Sequence, residues 1–213
     1  ELKMLEKMRS DFIATISHEL KTPLTSILMG ADLLDNTSIG PLTQDQREIV
    51  TTIKDDSNRL CNLVNDLLAL SKVESASTIY QMDLCSVTDI IRTSLKQFYP
   101  LAGKSGVMLR TQLAENMPKI MADQDKITWV LNNLLSNALK YTSDGDSITI
   151  FAQADDENVT VSVQDTGAGI PADFVDKIFD KYVQVPGYDL EMRGSGIGLS
   201  VSKEIITAHH GKI

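Results

Sequence analysis

The chain has 213 residues, 42% of them hydrophobic, with 29 acidic against 20 basic side chains and a formal charge of -9. That is enough material for one sizeable core or two small ones, and it excludes a disordered tail. The acidic balance excludes broad attraction to nucleic acid or anionic lipid, so any anionic ligand must be held by local groups.

The two cysteines, Cys61 and Cys85, have neither metal-ligand spacing nor the density of a disulfide scaffold. They read as packing residues of a reducing compartment. No apolar run approaches the roughly 18 residues of a membrane span, and no signal peptide is visible. "ELKMLEKMRSDF" starts inside a helical pattern and "HHGKI" stops where a strand is due, so the sequence reads as a fragment at both ends.

Residues 1–75 have the composition of two long helices. Leu5, Phe12, Ile16, Leu20, Ile27 and Leu34 fall on one stripe at 3.6 residues per turn. "DNTSIGPLT" supplies the turn signals, with Gly40 and Pro41 breaking the helix and Thr43 as the N-cap of the next one. Ile49, Ile53, Leu60, Leu63, Leu67 and Leu70 then form a second stripe. A single antiparallel hairpin leaves half of each stripe wet; a homodimeric four-helix bundle buries it.

"ISHELKTP" interrupts the first helix with a histidine and a proline. At about 100° per residue, Thr22 lies about 40° from His18, while Ile16 and Leu20 lie on the opposite face, so His18 points outward. Pro23 cannot donate to the carbonyl of Glu19 and should bend the helix there. Glu19 could hold one ring nitrogen and leave the other nucleophilic. An exposed imidazole, a carboxylate, a hydroxyl one turn on and a hinge suit a covalent acceptor site; a plain surface histidine is the alternative.

After a linker at 76–80, residues 81–213 alternate helical segments with short β-prone runs, which predicts an α/β sandwich. "DSITIFAQADDENVTVSVQD" reads as two strands joined by an acidic turn. In "DKITWVLNNLLSNALKYT", Asn133, Asn137 and Lys140 share one helical face, opposite Ile127, Leu131, Leu134, Leu135 and Ala138. Amide oxygens suit a hard cation and an amine suits phosphate; a solvated face is the alternative. "DTGAGIP" puts Asp165 at a strand end before a sharp turn through Gly167 and Gly169. "GSGIGLSVSKEI" sets Gly194, Gly196 and Gly198 before a helix whose free N–H groups could receive phosphate oxygens.

Taken in order, these blocks resemble the cytoplasmic transmitter region of bacterial two-component sensor histidine kinases. "FIATISHELKTPLTS" looks like the H box, "NNLLSNALKYT" the N box, and "DTGAGIP" the first glycine box. "IFDKYVQV" looks like the F box and "GSGIGLSVSKEI" the second glycine box. The resemblance covers nearly the whole chain. It implies a dimerization and phosphotransfer hairpin followed by a catalytic domain of the Bergerat (GHKL) type that uses ATP and Mg²⁺.

Carried over residue by residue, the resemblance makes His18 the phosphoacceptor, Glu19 its proton acceptor and Thr22 a residue that positions water in dephosphorylation. Asn137 would hold Mg²⁺, with Asn133 as a second candidate, and Lys140 and Tyr141 would meet the phosphates. Asp165 would accept from the adenine amino group beside Gly167, Gly169 and Ile170. Lys181, Arg193, Gly194, Ser195, Gly196, Gly198 and Leu199 would complete the nucleotide site, with "VQVPGYDLEMR" as a mobile lid. The implied partners are a second copy and the receiver domain of a response regulator, with a membrane-anchored parent and this region cytoplasmic.

Two departures stand out. Gln184 takes the place of an F-box arginine, leaving Lys181 as the nearer cation, with Arg193 a further source of charge. His210 stands where glycine is common, and His209 and His210 read as helix-end residues before a Gly211 cap rather than metal ligands. The strands that usually follow are missing, so the sheet edge is expected to be incomplete. Another Bergerat ATPase, a silent dimeric scaffold and a phosphatase-dominant transmitter remain as other readings.

Overall fold

The computed structural model describes residues 2–36, 40–74, 80–186 and 195–213. The chain divides into two compact units, Glu1–Thr78 and Ile79–Ile213.

The first unit is a helical hairpin of α1 (Leu2–Asp35) and α2 (Gln44–Glu74). Thr43 caps α2 through a reciprocal pair. Its hydroxyl accepts the Gln46 N–H at 3.3 Å, and its own N–H donates to Gln46 Oε1 at 2.9 Å. At the same end, Arg47 and Lys54 of α2 pair with Asp35, and Lys54 also with Asp32. Such exposed pairs contribute little individually.

The seam between the helices is narrow. Its buried residues are Ser17, Leu24 and Ala31 on α1 and Val50, Ser57, Val64 and Ser71 on α2. Each set recurs every seventh residue, and small side chains let the helices approach closely. Among the described residues, Ser17 Oγ is buried with no hydrogen-bond partner. The broad stripes read from the sequence lie outside this seam, with Phe12, Ile16, Leu20, Ile27, Leu34, Ile49, Ile53, Leu60 and Leu63 all exposed. Helix α1 continues through Pro23, while the hydroxyls of Thr22, Thr25 and Ser26 donate to carbonyls four residues back.

The second unit runs β1 (Asp83–Ser86), α3 (Val87–Lys104), β2 (Met108–Leu113), β3 (Lys119–Ala122), α4 (Gln124–Lys140), β4 (Ser147–Ala154), β5 (Val159–Asp165), α5 (Ala172–Val175) and α6 (Gly198–Ala208). Strands β1 and β3 pair antiparallel, and β2, β4 and β5 form a separate sheet in that order. Strand β2 runs parallel to β4, whereas β4 and β5 are antiparallel. Strand β4 buries Ile148, Ile150 and Ala152 on alternate positions, so one sheet face meets the helices. Ile91, Leu95, Leu131, Leu135 and Ala138 close the core from α3 and α4. This is the two-layer α/β sandwich that the alternation predicts.

The parallel pairing makes α4 part of the crossover between β2 and β4. Asp123 caps it by accepting the Lys126 N–H at 3.1 Å. The carbonyls of its last turn are met by the Thr142 hydroxyl, which donates to Ala138 and Leu139. Helix α6 packs against α4.

The end of α6 corrects one detail. His210, not Gly211, takes the left-handed position at φ 59°. Its N–H donates to Thr207 and that of Gly211 to Ile206, the two bonds of a Schellman motif. His209 donates from Nδ1 to the Ile205 carbonyl at 2.7 Å and accepts the Asp123 N–H on Nε2 at 2.9 Å. Both of its ring nitrogens thus serve the backbone, as the helix-end reading requires. Among the described residues, no group of three or more His, Cys, Asp or Glu could hold a metal ion.

Candidate functional site

In the hairpin, His18 is exposed on α1, as the helical wheel predicts. The expected pairing with Glu19 is not formed among the described residues, because adjacent helical positions diverge by about 100°. The Thr22 hydroxyl is one turn on and donates to the His18 carbonyl at 3.3 Å. The imidazole itself is left open to the surroundings.

In the second unit, helix α4 is the spine. Asn133, Asn137, Lys140 and Tyr141 lie along it, all half-buried. About 12 Å of helix separates Asn133 from Tyr141 at about 1.5 Å per residue. Lys140 Nζ lies 5.2 Å from the centre of the Tyr141 ring.

At the C-terminal end of α4 sits the loop after β5. Ala168 donates its N–H to the Tyr141 carbonyl at 3.3 Å, and a Cβ on Gly167 would overlap that same oxygen. Only glycine allows so close an approach. Asp165 Oδ1 accepts the Gly167 N–H at 3.0 Å, which folds the loop back on its own carboxylate. Gly169 and the half-exposed Ile170 follow.

This loop is braced by residues that sequence reasoning did not single out. The Thr166 hydroxyl donates to Asp146 Oδ1 at 2.8 Å and accepts the Ser147 N–H at 3.0 Å. Asp146 Oδ2 accepts the Ser143 N–H at 2.8 Å. The Ser143 N–H, and then the Thr166 hydroxyl, hold the Asp146 carboxyl below its usual range. An acidic residue in a turn followed by Ser is common, so nothing in the sequence marked it.

At the middle of α4, Asn133 meets the start of α6. Its Nδ2 donates to Ser202 Oγ at 2.9 Å, and a Cβ on Gly198 would overlap its Oδ1. Ser195 Oγ accepts the Ile197 N–H at 3.1 Å. No side chain caps the first turn of α6 among the described residues, which leaves the Gly198–Leu199 end of the helix with its amide groups directed outward.

Lys181 is engaged by α6. Its Nζ lies 2.9 Å from Glu204 Oε1, so the cation expected at the nucleotide is held by a carboxylate. Tyr182 beside it donates its N–H to the Gly196 carbonyl at 2.8 Å. Arg193, Gly194 and most of the lid segment lie outside the described residues. The structure therefore gathers the N-box residues, the D-x-G-x-G loop and the glycine start of α6 on one helix.

The donor set suits Mg²⁺. Amide oxygens are hard, neutral ligands, and Asn133 Oδ1, packed against the bare Gly198, accepts no hydrogen bond among the described residues.

Residues 8–76 match the His Kinase A (phospho-acceptor) domain, and residues 122–213 match the histidine kinase-, DNA gyrase B- and HSP90-like ATPase family. A phosphoacceptor hairpin followed by such an ATPase unit defines the class. The chain belongs to the sensor histidine kinases. It is 32% identical over its whole length to the alginate biosynthesis sensor protein KinB of Pseudomonas aeruginosa and covers 35% of that protein. Over its whole length it is also 33% identical to the sensor histidine kinase WalK of Bacillus subtilis, again covering 35% of the relative. The chain thus spans about a third of these relatives' length. Among solved structures, full-length ShkA in complex with AMPPNP matches with a TM-score of 0.71 at 31% identity, over 93% of this chain and 41% of that one. ThkA in complex with the response regulator TrrA shares the fold, with a TM-score of 0.64 at 23% identity, over 94% of this chain and 55% of that one.

Proposed function

We propose that the chain transfers the γ-phosphoryl group of ATP to His18 and then to an aspartate of a response regulator receiver domain. The observation that carries this reading is an exposed imidazole on α1 in a chain whose second unit assembles the α4-centred cradle.

In the first step, a neutral His18 ring nitrogen attacks the γ-phosphorus. The N–P bond forms, the bond to the bridging oxygen breaks and ADP leaves. Glu19 must swing to the ring to take the proton from the other ring nitrogen, since the two side chains are not paired among the described residues. In the second step, the receiver carboxylate attacks phosphorus, the N–P bond breaks, and the imidazole leaves as it takes back the proton held by Glu19. Such transfer needs chiefly in-line placement and charge neutralisation.

Asp165 and its glycine loop would receive the adenine, and Lys140 and the amide end of α6 the phosphates. Asn137, with Asn133, would hold Mg²⁺, which neutralises phosphate charge when bound. The parts require a hairpin and a catalytic domain separated near residues 76–80, with docking between them.

A second copy is the natural cover for the exposed stripe of Ile16, Leu20, Ile27 and Leu34 on α1 and Ile49, Ile53 and Leu60 on α2. No described helix is long and apolar enough to cross a membrane. A membrane-anchored parent with this region in the cytoplasm is therefore a proposal from the kinship alone.

A phosphatase contribution is favoured by the Thr22 hydroxyl, one turn from His18 on the exposed side of α1. A silent scaffold is favoured by the Lys181–Glu204 pair and by Gln184. The deciding test is incubation with γ-labelled ATP and Mg²⁺. Acid-labile, alkali-stable label that disappears in His18→Gln supports the kinase. Label retained in that variant overturns the acceptor assignment, and no label despite bound ATP moves the scaffold ahead.

A further inference from the structure

We infer that Ser202 is a positioning residue that sets which way the Asn133 amide faces. The inference rests on the nucleotide-site reading above.

Ser202 is fully buried on α6, with none of its surface exposed. A hydroxyl has one proton to give, and that of Ser202 goes to the Gly198 carbonyl at 3.0 Å. With its proton placed there, it accepts on the α4 side. Asn133 Nδ2 supplies the matching donor at 2.9 Å.

The alternative amide orientation would set Oδ1 toward Ser202 Oγ, and the hydroxyl would have to turn from the Gly198 carbonyl to serve it, giving one bond where the observed orientation makes two. One orientation is thereby selected, with Nδ2 toward Ser202 and Oδ1 beside Gly198. Among the described residues, Oδ1 accepts no hydrogen bond, which leaves it available to a cation.

The same three groups couple two things that are otherwise separate. The Ser202 proton fastens the first turn of α6 to itself through Gly198, and its lone pair fastens that turn to Asn133 on α4. The amide oxygen and the phosphate-facing helix end are thus fixed relative to one another before any ligand arrives. Partners that orient a metal ligand in this way typically change metal affinity by tenfold or more when removed.

The tests are Ser202→Ala, Asn133→Ala and the double variant, in the full chain. In ligand-free protein, the Asn133 side-chain amide signal, assigned by its absence in Asn133→Ala, is read by ¹⁵N NMR. Binding of a fluorescent ATP analogue is then titrated with and without Mg²⁺. The expected result is a shifted, faster-exchanging Asn133 amide in Ser202→Ala. The Mg²⁺ concentration for half-maximal effect should rise about tenfold with Mg²⁺-free binding unchanged. In the Asn133→Ala background, Ser202→Ala should add nothing.

An unmoved amide signal overturns the inference, as does an effect of Ser202→Ala that persists without Asn133. Equal loss of binding with and without Mg²⁺ also overturns it, because it marks a role in folding only. Wild-type protein that binds no nucleotide would overturn the kinase reading instead, and the ligand-free amide signal would still decide whether Ser202 orients Asn133.

Discussion

The N–H of Tyr182 reaches the carbonyl of Gly196 at 2.8 Å, and both residues lie in the left-handed region, at φ 66° and 69°. A bulky residue seldom holds that conformation, and here it is fixed by the backbone it grips. The close approach allows no side chain at 196, where a Cβ would stand 2.9 Å from both the Tyr182 carbonyl carbon and the Val183 oxygen.

Gly196→Ala should therefore force these backbones apart. Stability of the second unit is expected to fall by about 1–3 kcal/mol, and nucleotide affinity about tenfold or more. Thermal melting and equilibrium binding measure the two. Wild-type values in both would mean that this contact does not set the site.

Ile27 tests the second copy. It is 47% exposed on α1, so lysine there costs the isolated hairpin little. In a four-helix bundle the same charge would be buried without a partner. Sedimentation of Ile27→Lys should show a monomer with undiminished helix content. A dimer of wild-type affinity would mean that another face pairs.

His210→Gly should stabilise the second unit by about 1 kcal/mol, since the left-handed position that ends α6 suits glycine and strains any residue with a Cβ. Urea unfolding would report this as a higher midpoint with an unchanged slope. A lower midpoint would mean that the His210 side chain contributes more than its backbone costs.

Asp146 gives a pH dependence of definite sign. Its carboxyl is held below the usual range by the Ser143 N–H and then the Thr166 hydroxyl, so the folded state binds its proton less readily than the unfolded chain. The stabilisation is present above the ordinary aspartate value of about 3.9 and is lost as pH falls through the lower folded value. Asp146→Asn should lower stability at neutral pH and flatten the acid limb below about pH 4. Equal loss at every pH would assign the effect to packing.

Much of this was legible because it is local. Thr43 announces itself as a cap, and its partner Gln46 is three residues on. His18 follows from helical phase, and β4 and β5 from their alternation and acidic turn. What escaped is non-local or uses the small residues that periodicity ignores. The hairpin seam is built from Ser17, Ala31 and Ser57 as much as from Leu24 and Val64, and no hydrophobicity count would choose them. Asn133 read as an outward amide because its partner, Ser202, lies 69 residues away. Lys181 is placed at the nucleotide by the family resemblance alone, and its partner Glu204 lies out of local view. The pairings β1–β3 and β2–β4 join segments whose registers no local pattern dictates.

The parallel β2–β4 pairing also orders events in time. Hairpin β4–β5 can close over a four-residue turn, whereas β2 reaches β4 only after the chain has passed through β3 and α4. Loop closure of that length makes the crossover the slower event. Because Asn133, Asn137 and Lys140 ride on that crossover, a nascent or refolding chain should protect the β4–β5 amides before it acquires any grip on nucleotide. Pulsed hydrogen exchange alongside rapid-mixing binding would separate the two; binding that preceded hairpin protection would reverse the order. Half-assembled molecules would then be inert, and the chain would gain its chemistry in one late event rather than by degrees.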